Sequence, residues 1–375
     1  MNSAKVVIEA GSVYAYRIFD CGTEIDLKAA GKMLEQKGPV RTYHLKKSSR
    51  SFLVSEHPLQ LSLTPWSEVI LDNSYEVQCH LKIWSFGSIS MQLSIQLGRS
   101  FTLDELCELS YFFENNETFH KIAVKKVEYL MQHINSAIVN PGLWKEYEDY
   151  IIFKIERFSG AEDTDLREVF LNSTTTSLIL GEKPMTFSEQ FNLSLASNVF
   201  QYGDDDLVLI HWNGALIYDQ DDADDIAYVI EFALCQLLEL RYYDNLLDNQ
   251  LNALYQRIEK QKHGLLVNPY VDLSREATLE YIDISEIVDK ITNAFKVVGD
   301  YYYAIIYRAA TDKLHIPDWR RNVDSKLKNL AEFCKLFQGD VNEKRNQLME
   351  FTIIVLIAIE VIPFLYKLWE NSSLN

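Results

Sequence analysis

The hydrophobic period of this chain changes once, near Asp219, and that change limits the folds open to it more than any other feature. Upstream, apolar and polar residues alternate, the period of half-buried strands. Downstream, apolar residues recur every three or four positions, the period of helices packed along one face. The chain therefore reads as α+β, with an α/β front and a helical back.

In the front, residues 6–19 suit a strand, LKAAGKML a short helix ended by Gly38 and Pro39, and LQLSL, YEVQCHLKIWSF and ISMQLSIQLG further strands, the last two a hairpin meeting near Gly87. TLDELCELSYFF opens on Thr102 with Glu105 three residues on, the spacing of a capping box. Strand, helix, strands, helix is the order of an antiparallel ferredoxin-like unit, placed over 1–140 with the helical residues 120–135 as a bridge. A second α/β unit over 141–219 follows Pro141 and Gly142. It contains the strand YEDYIIFKIERF, the loop SGAEDTD, a strand at TTTSLIL and a helix at FSEQFNLSLASNVF. Asn213 and Gly214, between DLVLIHW and ALIYD, predict a type I′ hairpin. Periodicity leaves open whether the two units are separate domains or one sheet.

The helical region, 220–347, carries three seams. The first includes Leu237, Leu247, Leu251 and Leu254 and is interrupted at Asp244. The second runs through Ile284, Ile287, Ile291 and Tyr301 after a turn at Gly264 and Pro269, and the third from Val323 through Phe337 and Val341 to Leu348, with Lys344 at its polar step. Such spacing predicts a long-helix bundle or coiled-coil arm, able to form a homo-oligomer or to take partner helices. The opposite charges of Asp244 and Lys344 would meet between helices in that arrangement.

Residues 348–369 follow, centred on FTIIVLIAIEVIPFLY. A lipid-spanning helix needs roughly 20 mostly apolar residues. This stretch supplies them with Glu350, Thr352 and Glu360 inside or at the rim, Tyr366 and Trp369 suited to an interface, and Lys344, Arg345 and Lys367 as flanking charges. The alternative is a terminal helix buried in a soluble bundle or dimer. The segment from IPDWRRNVDSK to IVLIAIEVI also resembles the end of the DUF155 domain, the RMD1/RMND1 family. Trp319 after a turn, the seam-bearing helix, Arg345, and Glu350 leading an Ile-rich run closed by Glu360 carry the likeness over about 60 residues, while Met349 and Phe351 depart from it. The resemblance implies an α/β part, long helices and a membrane anchor. It also implies an organellar place in eukaryotic members, with one branch supporting mitochondrial translation.

Composition narrows the function. With 54 acidic against 36 basic residues the formal charge is −18, which disfavours direct nucleic-acid binding. The one basic cluster, Arg41, Lys46, Lys47 and Arg50, reads as an ordinary loop or strand edge. Cys21, Cys79, Cys107, Cys235 and Cys334 show no metal-like spacing and read as free thiols of a reducing compartment. The first residues lack the features of a cleaved targeting peptide, which favours a bacterial protein. No HExxH, GxSxG, GxxxxGK[ST] or GxGxxG occurs, so neither hydrolysis nor nucleotide chemistry has its usual frame. Asp244 and Asp248 share a helix face and suit a structural network better than a cation. No cofactor is expected. The chain reads as a non-catalytic, membrane-associated scaffold with a cytoplasmic body. The alternatives are a soluble, cytoplasmic homo-oligomeric interaction protein and an enzyme with a composite site.

Overall fold

The computed structural model describes residues 6–35, 39–44, 52–54, 56–98, 100–161, 164–196, 198–220, 224–260, 270–293, 295–297 and 301–372. The turn expected at Gly264 and Pro269 and the basic residues Lys46, Lys47 and Arg50 lie outside these. The chain divides into two compact units, one of Met1–Tyr243 with Ile287–Arg321 and one of Asp244–Glu286 with Asn322–Asn375. Its strands are β1 (Val7–Asp20), β2 (Glu24–Ile25), β3 (Val40–Thr42), β4 (Phe52–Val54), β5 (Leu59–Ile70), β6 (Asn73–Ile83), β7 (Ser88–Gln96), β8 (Phe101–Thr102), β9 (Ile138–Val139), β10 (Tyr147–Ser159), β11 (Val199–Phe200), β12 (Asp206–Ile210), β13 (Gly214–Asp219) and β14 (Phe295–Val297). Its helices are α1 (Leu27–Leu34), α2 (Leu103–Asn115), α3 (Glu117–Ile134), α4 (Leu166–Phe170), α5 (Ser173–Leu180), α6 (Glu189–Ala196), α7 (Asp224–Lys260), α8 (Tyr270–Asn293), α9 (Tyr301–Lys313) and α10 (Ile316–Ser372).

The first unit is built on a ten-stranded mixed sheet in the order β11-β12-β13-β10-β1-β7-β6-β5-β3, with β8 added to β1. This corrects the expected ferredoxin-like units. β1 is 14 residues long and uses both edges, pairing with β7 on one side and β10 on the other, so residues before and after 140 share one sheet. The β10–β13 pair is parallel, and α4, α5 and α6 lie in the crossover between them. Along β1 the pleat sends Val13, Ala15 and Phe19 into a core shared with α1, α2 and α3. Tyr14 and Tyr16 point to the opposite face, which α7 covers.

Local chemistry explains most of the element ends. Thr102 and Glu105 form the expected capping box of α2, and Asp26 caps α1 by accepting from the backbone N–H groups of Lys28 and Ala29. At Gly87, which links β6 to β7, φ is +109° and an added Cβ would meet the Gly22 carbonyl at 1.9 Å. TTTSLIL is helical, contrary to the expected strand. Asn172 caps it, Gly181 ends it in the left-handed conformation, and it packs on α2, which together outweigh the β preference of its threonines. The hairpin at Asn213–Gly214 exists, but the pair closing it is His211 and Gly214, and neither Trp212 nor Asn213 has a positive φ. It is therefore not the expected type I′ turn. Gly214 serves close packing there, because a Cβ would sit 2.9 Å from the Ile179 carbonyl and 3.1 Å from that of Ile151. Asn213 donates to the Leu180 carbonyl at 2.9 Å, tying the turn to the end of α5. The turn with two positive φ values is Leu71–Asp72, between β5 and β6.

The expected coiled-coil arm is corrected as well. Every residue of α7 from 225 to 240 is buried. Burial on all sides marks a central helix and not a one-sided seam. The sheet covers one side of it. On another, Tyr307 of α9 donates to the Gln236 side chain, which donates in turn to the Ile291 carbonyl. The second seam is interrupted where α8 ends at Asn293 and β14 pairs with β4.

The second unit is a bundle of helix segments. α7 contributes Leu247, Leu251 and Leu254, α8 contributes Leu273, Ala277 and Ile284, and α10 contributes Val323, Leu327, Leu330, Cys334 and Phe337, all buried. Tyr255 and Phe333 meet edge to face at 4.9 Å. Lys326 lies between two carboxylates of α7, 2.7 Å from Asp244 and 2.7 Å from Asp248.

Candidate functional site

The sheet face beneath α7 is polar although it is covered. Its residues stand in rows set by strand register. Arg41, Gln60, Lys82 and Ser90 form one row across β3, β5, β6 and β7. A second row joins Ser62, His80, Gln92 and Tyr16, and a third Gln78, Ser94 and Tyr14. α7 faces these rows with Asp224, Glu231 and Glu239, whose spacings of seven and eight residues keep them on one side of a helix.

Most charges there are neutralised in place. Lys82 and the Ser90 hydroxyl both donate to Glu231, and the Lys82 ammonium lies 4.3 Å from the centre of the Tyr43 ring. Asp224 accepts from Tyr14 at 3.0 Å and from Lys154 at 2.9 Å. Burial, reinforced by Asp224, pushes the Tyr14 hydroxyl up to about 12. Burial, then Lys82 and Arg41, lowers the His80 imidazole below its usual value, so it is uncharged at neutral pH. Between the sheet and the start of α7 a cavity of about 240 Å³ remains, with Gln60, Gln78, Gln92, Gln96, Tyr43 and Tyr228 in its wall.

Further along α7 the Glu239 carboxyl accepts from the Ser88 hydroxyl at 2.5 Å, while its Oε2 has no partner among the described residues. Asp20, at the end of β1 and 1% exposed, also has one carboxyl oxygen without a partner among the described residues. Burial raises both groups, Asp20 to about 7 and Glu239 well above the carboxylate range, and Asp20 raises Glu239 further. Two buried carboxyls that feel each other's charge cannot both ionise cheaply.

The residues singled out from sequence fall elsewhere and do not converge. Leu237 is buried in the first unit, Leu247 and Leu251 are buried in the second, and Trp319 is half-buried near the start of α10. Glu350 is exposed, and the side chains of Lys344, Arg345 and Glu360 lie outside the described residues. The expected Asp244–Lys344 pair is replaced by Asp244–Lys326. Lys344 is eighteen positions beyond Lys326 on the same helix, roughly 27 Å further along it. Among the described residues no group of three or more His, Cys, Asp or Glu side chains could hold a metal ion. The cavity wall was missed because alternation such as YEVQCHLK reads as a face turned to water. The trace of its cover in the sequence is the seven- and eight-residue spacing of Asp224, Glu231 and Glu239 along α7.

The second unit also carries an uncovered apolar segment. Within α10, Asn346–Pro363 is apolar and long enough to cross a membrane, and none of it is buried.

Comparison with known proteins corrects the resemblance read at the end of the chain. Residues 10–225 match the family described as "Uncharacterized protein MJ0711, N-terminal domain". The uncharacterized protein MJ0711 of Methanocaldococcus jannaschii is 24% identical over 264 residues, covering 70% of this chain and 79% of the relative. No solved structure matches. The DUF155 likeness rested on an amphipathic helix leading into an apolar one, a pattern that packing and lipid impose on unrelated chains, whereas the matched residues are the sheet and its helices. The chain belongs to the family of the MJ0711 N-terminal domain.

Proposed function

We propose that this protein is a non-enzymatic, membrane-associated interaction module, in which the last helix holds the α/β unit at a bilayer. The carrying observation is the distribution of apolar side chains on α10. Phe351, Ile353, Ile354, Leu356, Ile357 and Ile359 are each more than half exposed, and at 100° per residue they fall on every side of the helix. A helix that docks on one partner needs an apolar stripe, while one that is apolar all round suits a surrounding of hydrocarbon. The Asn346–Pro363 window of 18 residues spans roughly 27 Å, close to the thickness of about 30 Å of a bilayer core. Glu360 sits three positions from the end of that window, where a carboxylate reaches the interface at less cost than at the centre.

The non-enzymatic part of the reading is supported by the sequence, which offers no phosphate-binding loop, nucleophile elbow or metal-binding helix. Fractionation tests the membrane part. The full chain is expected in the membrane pellet and to resist extraction by high salt. A chain ending at Met349 is expected in the supernatant. Recovery of the full chain as a discrete oligomer in a lipid- and detergent-free supernatant would refute the anchor and favour burial of the helix between copies.

A further inference from the structure

The cavity between the sheet and α7 has the chemistry of a binding site. Two of its wall residues, Gln60 and Tyr228, are only 3% and 1% exposed, and each carries a polar atom, Gln60 Oε1 and the Tyr228 hydroxyl, with no partner among the described residues. A buried polar group that finds no hydrogen bond costs about 1–3 kcal/mol, so both groups stand to gain a partner from whatever occupies the cavity. Other parts of the sheet avoid this cost by filling comparable positions with apolar side chains, as at Val77, Cys79 and Leu81 on the opposite phase of β6.

Charge bookkeeping gives the sign of the ligand. Lys82 is paired with Glu231 and Asp224 with Lys154, so these charges cancel within the wall. His80 is uncharged at neutral pH. Arg41 lines the same cavity and makes no ion pair with any described residue. It is the direct cross-strand neighbour of Gln60. A guanidinium binds the two oxygens of a carboxylate or phosphate side by side, and amide and phenol groups beyond it pair with hydroxyl or amide groups. The volume, about 240 Å³, lies below the roughly 300–1,000 Å³ of sites for drug-sized molecules.

From this geometry we infer that the α/β unit binds a small organic oxyanion, its charged end on Arg41 and a hydroxyl- or amide-bearing body against Gln60 and Tyr228. This goes beyond membrane association and does not depend on it. A scaffold with such a site has a means of responding to a metabolite.

The full-length protein is tested by thermal unfolding and calorimetry with three probes, ribose 5-phosphate, glutamate and inorganic phosphate. Ribose 5-phosphate or glutamate is expected to raise the melting midpoint, by about 5 °C at a hundredfold excess over its dissociation constant. Which of the two does so identifies the oxyanion as phosphate or carboxylate. Inorganic phosphate, lacking a body, is expected to bind more weakly than the sugar phosphate. Arg41→Gln, at an exposed position, is expected to leave the ligand-free midpoint unchanged and weaken binding roughly 10- to 100-fold. Gln60→Leu is expected to raise or hold the ligand-free midpoint while weakening binding. The inference is overturned if no probe shifts the midpoint, if ribose 5-phosphate shifts it and inorganic phosphate binds as well, or if both variants bind as the parent does. Fractionation is unaffected by any of these results, so failure here is distinct from failure of the membrane reading.

Discussion

Replacing Asp20 by Asn is expected to stabilise the protein at neutral and alkaline pH and to leave it almost unchanged in acid. Asp20 is 1% exposed and lacks a partner among the described residues for one carboxyl oxygen. Burial moves it from 3.8 in the unfolded chain to about 7 in the fold, against a small opposing effect of the Gly22 N–H that it accepts. Between these two values the folded protein holds a proton that the unfolded chain has released. Stability therefore falls as pH rises from about 4 to about 7. Each unit of displacement is worth about 1.4 kcal/mol, so the whole interval amounts to roughly 4 kcal/mol. An asparagine keeps the shape and the oxygen that accepts from Gly22 but cannot ionise, and it also relieves the Glu239 carboxyl of a neighbouring charge. Urea unfolding of both proteins at about pH 3.5, below both values, and at about pH 8 measures the effect. The Asp20→Asn protein should match the parent in acid to within about 1 kcal/mol and exceed it by several kcal/mol at the higher pH. Parallel stability profiles across this range, or a less stable variant at pH 8, would show that Asp20 ionises in the fold at little cost.

Three further outcomes are expected. Leu247→Asp puts an unpaired charge at a fully buried position and should cost at least about 3 kcal/mol, whereas Asn249→Asp, at an exposed position two residues on, should stay within about 0.5 kcal/mol; equal melting temperatures would remove Leu247 from the bundle core. A double-mutant cycle with Asp244→Asn and Lys326→Met should give a coupling of about 1 kcal/mol for a pair whose side chains are 17% and 21% exposed, and additive losses would exclude direct pairing. Leu356→Arg, near the middle of the apolar window, should oppose insertion by about 2.5–3.5 kcal/mol and move the full chain toward the soluble fraction; unchanged partitioning would contradict a bilayer span.

By itself the sequence determined the elements whose signals are local. The capping box at Thr102, the short helix at LKAAGKML, the long strands of the front and the buried positions from Val323 to Phe337 all follow from neighbours within a few residues, through side-chain caps and repeating faces. Tertiary structure decided the rest. Pairing on both edges of β1 joined two expected units into one sheet, because a strand's free edge bonds any strand the chain brings to it, at no fixed sequence distance. Packing on α2 made TTTSLIL a helix, and packing against Ile151 and Ile179 gave Gly214 a steric reason to be there in place of a conformational one. The candidate site depended on the same long-range choice. Alternation marks the polar phase of β6 and β7, but only the fold lays α7 across it, shielding Gln60 and Tyr228 from water while leaving Arg41 without a counter-ion among the described residues. Strand register and helix placement join residues far apart in the chain, so their shared cavity had no compact sequence motif.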